Sequence, residues 1–289
     1  DRLHREHPEL ALQPESFEPL AVREARHFLN ALSLGYNLTA RGTLSDQSLL
    51  ARALGDRQAR SRDRLFTLLG IMYPPRDIDA ARFAIDHGDP KARASALEYL
   101  DNVLSSTLRK RVLPVLDDAP LADRVRKGNA IIGTRQRDEE ETLVQLVNDD
   151  DQVIAASAIL LVAEQRMTRL ADDLEHILEY RDARDWYVFE AASWALAGFR
   201  MSEDRRRSLW NEPLPAVEIA SRLSRLPLFA STWVDELFRL AVSGRQVRYE
   251  PGAGLYQEGT APQALQFLLD GDAVVTVKGA QIGTIGTPA

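Results

Sequence analysis

The side chains that could do chemistry in this chain are five histidines, three acidic runs, four arginine-rich stretches and one crowded set of aromatics. The histidines are His4, His7, His27, His87 and His176. A zinc-type site needs three or four converging ligands. His4 and His7 are close together, but they stand in an arm broken by Pro8, Pro14 and Pro19, and the other three stand alone. No metal site is expected. The acidic runs are Asp138-Glu139-Glu140-Glu141, Asp149-Asp150-Asp151 and Asp172-Asp173. Paired carboxylates perform acid–base work when they are buried at a fixed separation. These fall instead at predicted helix starts or inter-helix turns, where negative charge complements the helix N-terminus, so capping is the expected role.

The basic stretches are Arg57 to Arg64, Arg109-Lys110-Arg111, Arg124 to Lys127 and Arg205-Arg206-Arg207. Gathered on one concave face they would make a nucleic-acid footprint. Most are interleaved with acids, and 36 Lys+Arg against 43 Asp+Glu give a net charge of −7. A solvated surface is therefore expected, and no nucleic-acid partner. Trp186, Tyr187, Phe189, Trp194 and Phe199 crowd one segment. Trp186, Phe189 and Ala192 fall one turn apart, which predicts core packing. Gly283-Thr284-Ile285-Gly286 lacks the Lys and the following helix of a phosphate loop. There is no Gly-x-Ser-x-Gly and no Ser/His/Asp set. No catalytic residue, no cofactor and no enzymatic activity are expected.

With no cysteine, disulfides and thiolate metal sites are excluded. No run of about 18 apolar residues is present, and no signal peptide is visible. The first residue is Asp1 and the last predicted strand is left hanging at the chain's end, so the chain reads as a piece of a longer protein.

The elements that must position these groups are mostly helices. From Glu18 to Leu240, Ala and Leu recur at i, i+3, i+4 and i+7. Three segments share a layout: Asp89-Pro90-Lys91-Ala92-Arg93 onward, Asp150-Asp151-Gln152-Val153 onward, and Asp185-Trp186-Tyr187-Val188 onward. Poorer copies start near Asp123 and near Gly55-Asp56. In each full copy an Asp, namely Asp89, Asp150 or Asp185, is placed to cap a helix. Pro90 occupies a first-turn position where no donor is needed. Pro114 is expected to kink or end its helix. Asp89-Pro90-Lys91-Ala92-Arg93 resembles the signature of the HEAT repeat, whose second helix often begins Asp-Pro-x-Val-Arg. That resemblance implies an α-solenoid in which stacked helix pairs share a continuous core. The expected organisation is an arm and first helix over 1–45, HEAT-like repeats over 46–210, and a C-terminal module over 216–289.

The C-terminal module changes period. Val247 and Tyr249 alternate on one predicted strand, and Leu265, Phe267 and Leu269 on another. Pro251-Gly252, Glu258-Gly259 and Asp270-Gly271 supply turns between them. Gly279-Ala280 is the expected two-residue hairpin loop between Val274–Lys278 and Gln281–Ile285. The order Leu226-Pro227-Leu228-Phe229, Val247 to Gly252, Leu255 to Gly259, then Leu265 to Gly271 resembles the start of a cyclic-nucleotide-binding domain. Pro251, Gly252, Glu258, Gly259 and Gly271 carry the resemblance. It implies a partial β-roll, with the family's phosphate cassette lying beyond Ala289, so cyclic nucleotide is not expected to bind.

Together these readings predict a mainly α chain, a HEAT-like solenoid followed by a truncated roll. The pairing resembles the soluble C-terminal part of bacterial ATP/ADP translocase-like or major-facilitator fusion proteins. It implies a cytoplasmic regulatory or docking scaffold at the inner face of a membrane. Its partner would be a protein or the membrane portion of the same polypeptide. The alternative is a HEAT-like nucleic-acid enzyme of the DNA glycosylase type, or a HEAT-type lyase.

Overall fold

The computed structural model describes residues 13–179, 186–201, 213–261 and 264–287. It is mainly helical, with one two-stranded antiparallel sheet near the C-terminus. The chain forms two compact units: residues 1–47 with 54–142, and residues 48–53 with 143–289. Among the described residues, no helix is long and apolar enough to cross a membrane.

The first unit holds α1 (Glu18–Thr39), most of α2 (Leu49–Met72), α3 (Pro75–His87), α4 (Pro90–Val103), α5 (Ser106–Leu116) and α6 (Leu121–Ile132). α1 buries Ala21, Ala25, Phe28 and Leu32, a single stripe at helical spacing. It packs across α5 and α6, while α3, α4 and α5 pack in succession. Gly128 of α6 lets the backbone come close to α1: a Cβ there would stand 3.2 Å from the Leu29 side chain. No helix begins at Gly55-Asp56, where a repeat copy was expected, because that pair lies inside α2. One interior glycine costs a helix only about 1 kcal/mol. The same helix recovers burial at Leu65, Phe66 and Leu69.

Asp89 caps α4, its carboxylate accepting from the Ala92 N–H at 2.7 Å, and Pro90 sits in the first turn. One turn in, the Arg93 guanidinium donates to the Ile85 carbonyl at the end of α3 (2.7 Å) and to the Leu116 carbonyl at the end of α5 (2.5 Å). It also meets the Asp118 carboxylate at 3.2 Å. Pro114 does not end α5, which runs on to Leu116. So close to the C-terminus a proline removes a single intrahelical bond. Burial of Val112, Val115 and Leu116 holds the last turn.

α7 (Glu139–Val147) crosses from the first unit's residues into the second's. The second unit continues with α8 (Gln152–Glu164), α9 (Ala171–Glu179), α10 (Trp186–Phe199), α11 (Ala216–Ser224) and α12 (Val234–Ser243). Every residue of α8 from Ile154 to Ala163 is buried. Such a helix has no solvent face, and α8 packs against α10, α11 and α12. Its cap is Asp151, which accepts from the N–H groups of Val153 and Ile154. The expected cap, Asp150, lies one residue earlier and is exposed, while Asp149 accepts from the Asp151 N–H. Asp185 is outside the described residues. The aromatic reading of α10 also shifts. Trp186 is 54% exposed, and the buried stripe is Val188, Ala191, Ala192 and Ala195. Small side chains there allow close approach, leaving Tyr187 to pack on Phe238 at 4.9 Å between ring centroids. In the first turn of α2, Arg52 donates to the carbonyls of Ser224, Phe229 and Thr232, fastening the turn between α11 and α12.

The sheet consists of β1 (Asp272–Val277) and β2 (Ala280–Gly286). Its two-residue loop is Lys278-Gly279, one residue earlier than expected, because Val277 pairs with Ala280. Both loop residues have positive φ (50° and 79°), the geometry of a type I′ turn, in which Gly belongs second. The register shifts between Val275 and Thr276. Among the described residues, the predicted strands at 247–249 and 265–269 have no ladder partner. An isolated strand with both faces wet has nothing to hold it, and Val247 and Leu265 are exposed. The 265–269 segment is instead held by the Arg222 guanidinium on the Leu269 carbonyl (3.0 Å) and by Phe267 against Phe229.

Arg93→Ala leaves two helix-end carbonyls without their charged donor and is expected to cost about 2–3 kcal/mol. Asp89→Ala, which removes only a cap, should cost about 1 kcal/mol. Urea titration followed by circular dichroism measures both; equal costs would show that the Arg93 bridge contributes no more than a cap.

Candidate functional site

Among the described residues, an open groove of about 580 Å³ lies in the first unit. Its α1 wall runs along one helical stripe: Pro19, Val22, Arg23, Arg26, His27 and Asn30. The opposite wall is Ile132, Gly133, Thr134 and Arg137. Local sequence explains the second wall. α6 stops at Gly133, which takes φ 69°, and the N–H groups of Gly133 and Thr134 both return to the Asn129 carbonyl. The chain then turns into α7 through a reciprocal cap. The Asp138 carboxylate accepts from the Glu141 N–H at 2.8 Å, and the Glu141 carboxylate accepts from the Asp138 N–H at 3.3 Å.

Charge in the groove is one-sided. Arg23, Arg26 and Arg137 line it and no carboxylate does. None of the three makes a hydrogen bond or an ion pair among the described residues. The acids nearby are committed elsewhere: Glu141 to Arg135, Asp138 to the α7 cap, and Glu139 to the Thr43 hydroxyl. The Arg135 hydrogen bond holds the Glu141 carboxyl below the usual carboxylate range, with lesser help from Arg137 through space. Glu24, 5% exposed, stands 3.9 Å from His27 Nδ1. The arrangement suits an anion with an apolar body, since Pro19, Val22 and Ile132 lie among the guanidiniums.

Of the sequence-flagged groups His27 lines the groove, and the others sit elsewhere. His87 stacks on Phe83 at 4.9 Å, and His176 lies beside Glu179 at 3.7 Å. His4, His7 and Arg205 to Arg207 are outside the described residues. Among the described residues, no group of three or more His or carboxylate side chains could hold a metal. Arg62 and Arg82 flank the Phe66 ring, 5.9 and 5.6 Å from its centroid, and pair with Asp86 and Asp63. Arg109 faces Asp101, and Lys127 bonds Asp117 at 2.8 Å, which with the Ala119 N–H holds the Asp117 carboxyl low. At the C-terminus, Gly252, Gly259 and Gly271 all have φ between 83° and 84°. Pro251 stands in the first of these turns. The Glu258 carboxylate accepts from the Lys278 N–H at 2.8 Å, tying an upstream turn to the hairpin loop. Arg23, Arg26 and Arg137 were passed over because basic residues were sought as runs. The signal was helical spacing: Arg23, Arg26 and Asn30 share a face.

No family model, no curated protein and no solved structure matches the chain.

One carboxyl outside the groove is displaced upward. Glu190 of α10 accepts from the Ala216 N–H at the start of α11 (2.7 Å). Burial raises its titration above the ordinary value, against the lowering effect of that hydrogen bond. A carboxyl whose folded value is raised contributes most below its unfolded value, and the contribution is lost as pH rises through the folded value. Glu190→Gln keeps an acceptor oxygen and stays neutral. It should match the parent near about pH 3.5 and exceed it in stability near about pH 7. Urea midpoints at the two pH values test this; a variant weaker at neutral pH would show that the charge itself stabilises the cap.

Proposed function

We propose that this chain is a non-enzymatic interaction scaffold. In this reading, HEAT-type helix pairs present an extended surface to a protein partner or to the membrane portion of the same polypeptide. The start of a cyclic-nucleotide-type roll follows as a docking or regulatory module. The observation that carries the reading is the segment Asp89 to Arg93. Asp89 caps its own helix, and Arg93 closes the ends of the helices before and after it. A repeat array needs such a device, since each short helix pair buries too little alone and must be fixed to its neighbours. The roll reading draws support from the turn positions of Gly252, Gly259 and Gly271 and from the Glu258 tie to the hairpin.

Phe83 offers a partner an anchor: it is 67% exposed and pre-ordered by stacking on His87. Rigid exposed aromatics are the side chains from which interfaces draw most of their energy.

Crosslinking in extracts of the source cells should link the α3 face to a second protein. Phe83→Ala should abolish that link while changing stability by less than about 0.5 kcal/mol. Recovery of links within the chain alone would count against the scaffold reading. Calorimetric titration with cyclic AMP or cyclic GMP should give no saturable heat; micromolar binding would place a ligand site where none is expected.

A further inference from the structure

We propose that the groove between α1 and residues 132–137 is a binding site for a small phosphorylated molecule with at least two negative charges. This inference does not depend on the scaffold reading. Its first support is the contrast in how this chain treats its arginines. Several cations of this acidic chain meet a carboxylate: Arg82 with Asp63, Lys127 with Asp117, Arg222 with Glu218, Arg239 with Asp235. Arg23, Arg26 and Arg137 make no ion pair among the described residues, although they line one cavity. Like charges gathered together repel one another, and a bound anion relieves the repulsion. Acids close in sequence, Asp138, Glu139 and Glu141, are held by other donors. They are not free to fold over the groove and neutralise it.

The second support is shape and chemistry. A volume of about 580 Å³ lies within the range of small-molecule sites. Guanidinium forks match phosphate oxygens two at a time. Asn30 and Thr134 add neutral polar side chains to the lining, and Val22 and Ile132 add an apolar floor. An organic phosphate presents all three kinds of surface. The groove is bounded by one stretch of α1 and one short connection, so a long acidic peptide or a duplex would leave most of itself outside.

Pyrophosphate is the simplest probe of the charge component. Titrated calorimetrically into the whole 289-residue chain at about 150 mM salt, it should bind saturably with a Kd below about 1 mM. Arg26→Gln and Arg137→Gln should each weaken it about tenfold or more, as loss of a charge-assisted contact does. Lys91→Gln with Lys110→Gln, which removes exposed cations elsewhere on the same unit, should leave the affinity unchanged. Pyrophosphate should also raise the thermal midpoint of the unsubstituted chain, a readout that needs no variant to fold. The proposal is overturned by absence of saturable binding, or by equal weakening in the lysine control. It is overturned too if an aspartate-rich peptide or a duplex DNA binds at the arginines while pyrophosphate does not.

Discussion

A helix ends in carbonyl oxygens that have no N–H of their own helix to accept from, and a chain of short helices multiplies such ends. Both units meet that constraint with a guanidinium. Arg93 reaches the last carbonyls of α3 and α5 from the helix between them. Arg52 gathers three carbonyls from the turn that joins α11 to α12. In each case one side chain with five fixed donors does what several caps would otherwise do. The packing of neighbouring helices, and so the surface they offer, rests on these bridges more than on helix propensity. Short helices are marginal in isolation.

The same residue type has two fates here, and what surrounds it decides which. Arginines that bridge carbonyls or face Asp and Glu are structural, their charge answered within the fold. Arg23, Arg26 and Arg137 line a groove and make no ion pair among the described residues. Net charge alone would have hidden the difference, because an acidic total is compatible with a locally cationic hollow.

Much of the helical pattern was legible in the chain. Asp89-Pro90 marks a helix start at the expected residue, and the acidic run from Asp138 opens a helix at Glu139. Periodicity and capping are local, so sequence carries them. What escaped was decided by neighbours. Pro114 is expected to kink or end its helix, and apolar burial carries the helix past it to Leu116. Gly55 was read as a boundary, but a long helix absorbed it. Asp150 and Asp151 are alike as caps on paper, and only backbone geometry selects Asp151. The hairpin loop slid by one residue because a type I′ turn accepts Lys278 at positive φ ahead of Gly279. The groove was invisible to a search for charge runs, since its walls come from α1 and from a connection about a hundred residues later.

The burial of α8 on every side bears on how the protein is made. A helix that is apolar all round is sound only when its neighbours are in place. On the ribosome α8 emerges well before α10, α11 and α12, the last of which ends at Ser243. At about 5–20 residues per second, the roughly 80 residues between them take several seconds to synthesise. For that interval the apolar surface of α8 is only partly covered, first by α10 and last by α12.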